Sequence, residues 1–340
     1  MLNKAFISLE SIRSNANIIK KRLSGKSKLC AVVKADAYGH GMEVVANTLY
    51  NICDCFSVAF IEEAVKLKKI GIKKDVLVMV PFCSQQVTNG ILIQAVEHDI
   101  ILAVHSLHQL QILNQICSQL HKGVRVHIAV DTGMNRYGAD ILELEVLLNY
   151  INANHYLYLD GGFSHYALPE SDSVREIAKN KFLLANKLIK HYNNNATCHI
   201  SASGGFLKGD YLDMVRIGLL LYGYKPFEDN SIKVNPAMQV YAPTICQRTI
   251  SSKDGGLYGL KKPSNDSAVS IIAYGYADGL ERKEVKGQFN NRCMDASAIY
   301  GKKEGFVPIM LNAQDCAKKY DTISYEVLTK VAIRAEKIYY

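Results

Sequence analysis

No apolar run in the sequence approaches the ~18–20 residues a bilayer-spanning helix needs. The longest uninterrupted stretches, such as Val76–Cys83, are strand-sized, so no membrane span is expected. The N-terminus, MLNKAFISLESIRSNANIIKKRL, lacks the apolar core and small-residue cleavage site of a signal peptide, and a cytoplasmic location is the expectation. None of the nine cysteines forms a C-x-x-C pair. Cys53 and Cys55 have no second pair to complete a zinc set, so buried reduced thiols and no metal are expected. His105 and His108 lack a third ligand and read as a helix face. No G-x-G-x-x-G follows a strand and no G-x-x-x-x-G-K-[ST] occurs, which argues against dinucleotide and P-loop chemistry. The basic runs KKRLSGKSK and KLKKIGIKK have no interleaved aromatics, so nucleic acid is not an expected partner.

What is present is a globular composition. The chain has 340 residues, 49% apolar and 21% charged, enough for about two domains. Lys and Arg number 40 against 32 Asp and Glu, a net charge of +8 that suits small anionic ligands. Up to residue 226 short β-branched runs alternate with helical periodicity. The runs are Leu29–Val33, Phe56–Phe60, Val76–Val80, Ile100–Val104, Val124–Val130, Leu157–Phe163, Thr197–Ser201 and Leu212–Ile217. Eight βα units of this size predict an α/β fold, a TIM-like (β/α)8 barrel over residues 1–226. Past Lys225-Pro226, charged loops (FEDNSIK, SSKDGG, KKPSNDS) separate shorter alternating runs at Met238–Ile250, Ala268–Ala273, Gly305–Leu311 and Val331–Tyr340, with helices near Ala313–Lys319 and Tyr325–Lys330. Residues 227–340 therefore read as a smaller β-rich domain.

In a barrel, chemistry sits where strands end. The strand exits carry Lys34 in AVVKADAYGHG, Arg136 in DTGMNRYG, His165 in GGFSHYA, the Ser/Gly turn HISASGG, and Arg216 before Gly218 and Leu219. The turns after strands seven and eight are the usual phosphate seat of such barrels, and Ser203, Gly218 and Leu219 fall there. A phosphate facing a lysine across the mouth suggests pyridoxal phosphate held as a Schiff base.

AVVKADAYGHG, DTGMNRYG, GGFSHYA, DMVRIGLLLYG, AYGYADG, RCMD and TISYE resemble, in order, the motif series of the alanine racemase family over nearly the whole chain. The resemblance implies a pyridoxal 5'-phosphate barrel plus a C-terminal β domain, acting as a homodimer with shared active sites on a small amino-acid substrate. It implies that Lys34 is the cofactor-bearing lysine and one catalytic base. Tyr276 is the second base, delivered to the partner subunit's site. Arg216 matches the arginine at the pyridine nitrogen, Arg136 the one near the cofactor phenolic oxygen and the substrate, and His165 the histidine under the ring, linked to the tyrosine. Tyr38, Ser203, Gly218, Leu219 and Tyr325 match phosphate contacts. Met294 matches the residue whose N–H holds the substrate carboxylate, with Asp295 beside it.

The implied reaction is interconversion of L- and D-alanine, supplying D-alanine for peptidoglycan. The alternatives are a serine or broad-specificity racemase, a decarboxylase of related fold, or a pyridoxal phosphate-binding protein without turnover. The chain departs from the family pattern at Ala129, where many members carry a lysine that orients the Arg136 counterpart, and at Ala202, where Asn is usual. The segment from Leu280 to Met294 and the stretch after Asp295 are shorter than usual in the family.

Overall fold

The computed structural model describes residues 3–83, 85, 87–253, 264–284 and 292–340. The first strand, β1 (Lys4–Ile7), is followed by a helix over Leu9–Leu23. Ser8 caps that helix by accepting from the Ser11 N–H at 3.1 Å. Its buried residues Ile12, Ala16, Ile19 and Leu23 recur every three or four positions, the spacing of one helical face, and Lys20–Arg22 sit where the helix dipole is negative.

Eight strands then alternate with helices. They are β2 (Lys28–Val32), β3 (Cys55–Val58), β4 (Val76–Val78), β5 (Ile101–Val104), β6 (Val124–Ala129), β7 (Leu157–Phe163), β8 (Thr197–His199) and β9 (Met214–Ile217). All pair in parallel, in the order β8-β7-β6-β5-β4-β3-β2-β9. The ring closes between β8 and β9, where the Asp213 N–H donates to Cys198 O (3.2 Å) and the Arg216 N–H to Ser201 O (2.9 Å). Alternation along each strand sends one set of side chains toward the helices and the other into the lumen. The lumen set includes a layer of Cys30, Cys55, Leu77, Ile101 and Met214 and a separate group of Ala103, Ala129 and Phe163. All nine cysteines are free, and most are buried.

The second sheet comprises β10 (Met238–Ile250), β11 (Ser267–Ile272), β12 (Ser297–Tyr300), β13 (Phe306–Met310) and β14 (Glu336–Tyr339). It also takes in β1, which lies between β10 (antiparallel) and β14 (parallel). The chain therefore starts in the second sheet, builds the barrel, and returns. Strand β12 has no counterpart among the expected runs, and the run expected from Val331 begins only at Glu336. Residues 331–334 instead form turns, with the Ile333 and Ala335 N–H groups bonded to Lys330 O and Ala332 O. Helices cover Ala313–Tyr320 and Ser324–Lys330, and the second of these overhangs the barrel mouth. Much of the SSKDGG and KKPSNDS loops, and residues 285–291 of the shortened stretch, lie outside the described residues.

Candidate active site

Lys34 leaves β2 into a turn that few sequences adopt. Ala35, Asp36, Ala37 and Tyr38 all have φ between 52° and 54°. Left-handed backbone costs L-residues roughly 1–2 kcal/mol each, so the surroundings must hold it. The carboxylate of Glu63 accepts from the Ala35 N–H (2.7 Å) and from the Ala59 and Phe60 N–H groups (2.8 and 3.1 Å). Asp36 accepts from the Met42 N–H at 2.8 Å and pairs with Lys337. His40 Nδ1 lies 3.0 Å from both the Ala37 and Tyr38 carbonyls. The result is a rigid ledge that aims Lys34 over the barrel. Burial and the Arg136 charge, opposed by Glu63, hold its ammonium below the usual lysine range, which favours the nucleophilic amine.

Arg216 sits at the centre of the mouth and is buried. Its Nη2 donates to Ser164 O (2.7 Å) and Ile200 O (3.2 Å), and its Nη1 donates to His199 O (3.2 Å). The His165 Nδ1 lies 3.3 Å from Nη2. Burial pushes the guanidinium down to about 10, still cationic at neutral pH. Burial, with Arg216, Arg136 and Lys34 nearby, pushes His165 down to about 3, so it is a neutral ring. Arg136 donates to the Tyr137 hydroxyl at 3.1 Å, and its guanidinium lies 4.5 Å from the centre of the Tyr137 ring.

Across the mouth, Ser203 begins a short helical turn and Leu219 another, and first-turn N–H groups lack intrahelical acceptors. A Cβ on Gly218 would lie 2.5 Å from the Tyr38 hydroxyl, so a larger residue there would displace the packed phenol. Tyr38 packs on Tyr222 and Tyr325 (ring centres 5.0 and 5.8 Å). Burial pushes Tyr325 up to about 12 and Tyr38 higher still, so both phenols stay protonated donors.

Lys34, Tyr38, Arg136, His165, Ser203, Arg216, Gly218, Leu219 and Tyr325 line one cavity of about 520 Å³. Tyr276, Met294 and Asp295 are not among its walls. Tyr276 begins a short turn after Gly275, and its N–H donates to Cys293 O (3.0 Å), while the Ala277 N–H donates to Met294 O (2.9 Å). A Cβ on Gly275 would collide with Met294 O at 2.0 Å. These two motifs are thus locked together on a separate surface, where Tyr276 and Met294 are exposed and Asp295 pairs with Arg334 (2.9 Å). Sequence reading missed several walls: Tyr137, Phe163, Ile323, Glu326 and Thr329. All but Thr329 lie inside motifs that were legible, Tyr137 in DTGMNRYG, Phe163 in GGFSHYA, and Ile323 and Glu326 in TISYE.

The donor set fits a phosphorylated aromatic aldehyde. It offers a deprotonatable amine, a cradle closed by Gly218 and Tyr38, a cation at the centre, and width for a ring between them. A parallel barrel with an amine at its first strand exit and an anion seat at its last is the architecture of a barrel-type pyridoxal phosphate protein. A sequence profile described as "Alanine racemase, N-terminal domain" matches residues 7–226. An alanine racemase 2 of Caldanaerobacter subterraneus is 32% identical over 376 residues, covering 98% of this chain and 93% of the relative. An alanine racemase of Prochlorococcus marinus is 33% identical, covering 81% and 74%. The solved structure of an alanine racemase from Clostridium difficile superposes with a TM-score of 0.90 at 27% identity, covering 100% of this chain and 96% of that one. The alanine racemase from Bacillus anthracis with bound L-Ala-P gives 0.89 at 25% identity, covering 99% and 95%. The chain belongs to the alanine racemase family, a family of pyridoxal phosphate-dependent isomerases.

Proposed function

We propose that the chain interconverts L- and D-alanine with pyridoxal 5'-phosphate as its cofactor, in the cytoplasm, as a homodimer whose two sites are each completed by the other copy. The product would serve peptidoglycan synthesis. The observation that carries the reading is the convergence of Lys34, Arg216, Arg136 and the Tyr38–Gly218 cradle on one cavity, together with the family match. Bound there, the cofactor supplies an electron sink that acidifies the α-proton of an attached amino acid.

The chain's own groups do the rest. Lys34 anchors the cofactor and moves a proton at Cα from one face. Racemisation needs a second base on the opposite face, because a single base in a tight site returns the proton to the side it left. Tyr276 of a second copy fills that role, since Tyr276 is exposed on its own chain and absent from its own cavity wall. Met294 beside it offers its N–H to the substrate carboxylate, with Asp295 in support, and Arg136 faces the same end. Arg216 would hold the pyridine nitrogen as a donor that keeps its own proton, which would moderate electron withdrawal and limit side reactions. Tyr38, Ser203, Gly218, Leu219 and Tyr325 hold the phosphate. His165, a neutral ring lining the same cavity, would support the cofactor.

The test is borohydride reduction of the loaded protein followed by peptide mapping, with Lys34 the expected adduct; a different lysine overturns the assignment. For the shared site, Lys34→Ala chains mixed with Tyr276→Phe chains should regain activity, because one of the two sites in such a heterodimer is intact. No recovery in heterodimers shown to form removes Tyr276 from the partner's site.

A further inference from the structure

Arg216 is a buried cation without a direct counter-ion. Among the described residues no carboxylate lies within ion-pair distance of it; its neighbours are carbonyls and imidazoles. One of those imidazoles leads away from the cavity. Arg216 Nη1 lies 2.5 Å from His199 Nδ1. His199 Nε2 lies 2.9 Å from His127 Nδ1, and His127 Nε2 lies 3.0 Å from Asp160 Oδ2. His199 and His127 are buried, while the Asp160 side chain is about one-third exposed (31%).

The direction of every bond in this chain is forced. A guanidinium has donors only, so His199 Nδ1 must accept. The His199 proton is then on Nε2 and is donated to His127 Nδ1. That leaves the His127 proton on Nε2, donated to the carboxylate. Both rings are neutral and their dipoles line up, lone pairs toward Arg216 and N–H bonds toward Asp160. Burial and the Arg216 charge hold His199 far below the ordinary histidine range, which agrees with a neutral ring. Against its own burial, the hydrogen bond from His127 and the charges of Arg125 and Lys28 hold Asp160 below its ordinary range.

The fold makes room for this chain. A Cβ on Gly161 would lie 2.7 Å from His127 Cε1 and 2.8 Å from Nε2, so glycine at 161 leaves the His127 ring its place. Phe163 stacks flat on His199 (5.4 Å between centres, 3° between planes) and also lies under the Arg216 guanidinium at 5.3 Å, fixing both planes from one side. Hydrogen-bonded dipoles in a dry interior polarise one another, and a carboxylate behind an imidazole makes its far nitrogen a better acceptor.

We propose that Asp160, His127 and His199 are positioning residues that act on the reaction through Arg216, carrying a counter-charge to the buried guanidinium along a one-way chain of hydrogen bonds. Their effect on turnover rests on the functional reading above; the chain itself does not.

The test uses the full-length protein labelled with 15N in its histidine rings, with pyridoxal phosphate added. His199 should appear as a neutral ring protonated on Nε2 through the range where histidine normally titrates, about pH 6–8, and at pH 8 His127 should show the same tautomer. In Asp160→Asn the His199 ring nitrogens should shift, although Asp160 does not touch His199. The kcat for alanine, per bound cofactor, should fall about tenfold, the low end for outer partners of a functional group, with KM moved less than about twofold. His127→Phe should do the same or more; if it does not fold, Asp160→Asn decides, because Asp160 is at the surface end. Either ring protonated on Nδ1 at pH 8, or an Asp160→Asn protein with unmoved His199 resonances and unchanged kcat, overturns the proposal. A wild-type protein that does not racemise alanine overturns the functional reading instead, and the ring spectrum still decides the relay.

Discussion

Arg136 and Tyr137, adjacent in sequence, are joined twice: a hydrogen bond of 3.1 Å from guanidinium to phenol, and the guanidinium 4.5 Å from the ring centre. Ala129, on the strand below, is grouped with Ala103 and Phe163 and has no polar side chain to offer this arginine. Among the described residues, the Tyr137 phenol is the side chain that fixes Arg136. Tyr137→Phe removes the hydrogen bond and keeps the stacking. A net loss of ~0.5–1.5 kcal/mol converts to a rise in KM for alanine of about two- to tenfold, with kcat little changed. Steady-state kinetics in both directions checks this, and an unchanged KM would show that Tyr137 does not position Arg136.

Glu63 gathers three backbone N–H groups, those of Ala35, Ala59 and Phe60. One of these bonds is partly buried and two are exposed, so losing the shared acceptor costs about 0.5–1.5 kcal/mol. Glu63→Ala should lower the urea midpoint accordingly and reduce kcat, because the left-handed turn carrying Lys34 loses its clamp. Glu63→Gln, which keeps one acceptor oxygen, should fall between. Equal midpoints for all three proteins would remove Glu63 from this role.

Gly218→Ala places a methyl 2.5 Å from the Tyr38 hydroxyl. Overpacking of this kind costs about 1–3 kcal/mol, and here the displaced group is a proposed phosphate contact. Affinity for pyridoxal phosphate, titrated by absorbance, should drop while the secondary structure is kept. Undiminished affinity would place the phosphate elsewhere.

Two histidines, His40 buried and His165 half-buried, give a pH signature. Burial pushes His40 down to about 4, against hydrogen bonds to the Tyr38 and Ala37 carbonyls, and pushes His165 down to about 3. In the unfolded chain each titrates near the ordinary value of ~6.5. Below that pH the unfolded state binds protons the folded state does not. Stability is thus full above about pH 6.5 and is lost as pH falls toward the folded values, by up to about 1.4 kcal/mol per pH unit for each ring. Urea midpoints should fall between pH 7 and pH 5, and the fall should be shallower in His40→Gln. A level midpoint over that range would mean these rings take up protons while folded.

The sequence alone determined the order of the eight barrel strands and the second sheet's long strand, because strand and helix periodicity is a local property that burial on one face imposes on neighbouring residues. It also marked Lys34, Arg136, His165, Ser203 and Arg216, since barrel chemistry gathers at strand exits. Tertiary structure alone decided what those residues touch. That β1 joins the second sheet, that Tyr276 and Met294 stand apart from the cavity, and that Asp160 reaches Arg216 through His127 and His199 all depend on contacts between distant segments. Such contacts leave no periodic trace in the chain, because a hydrogen bond between side chains thirty or seventy residues apart is fixed by where the folded backbone brings them.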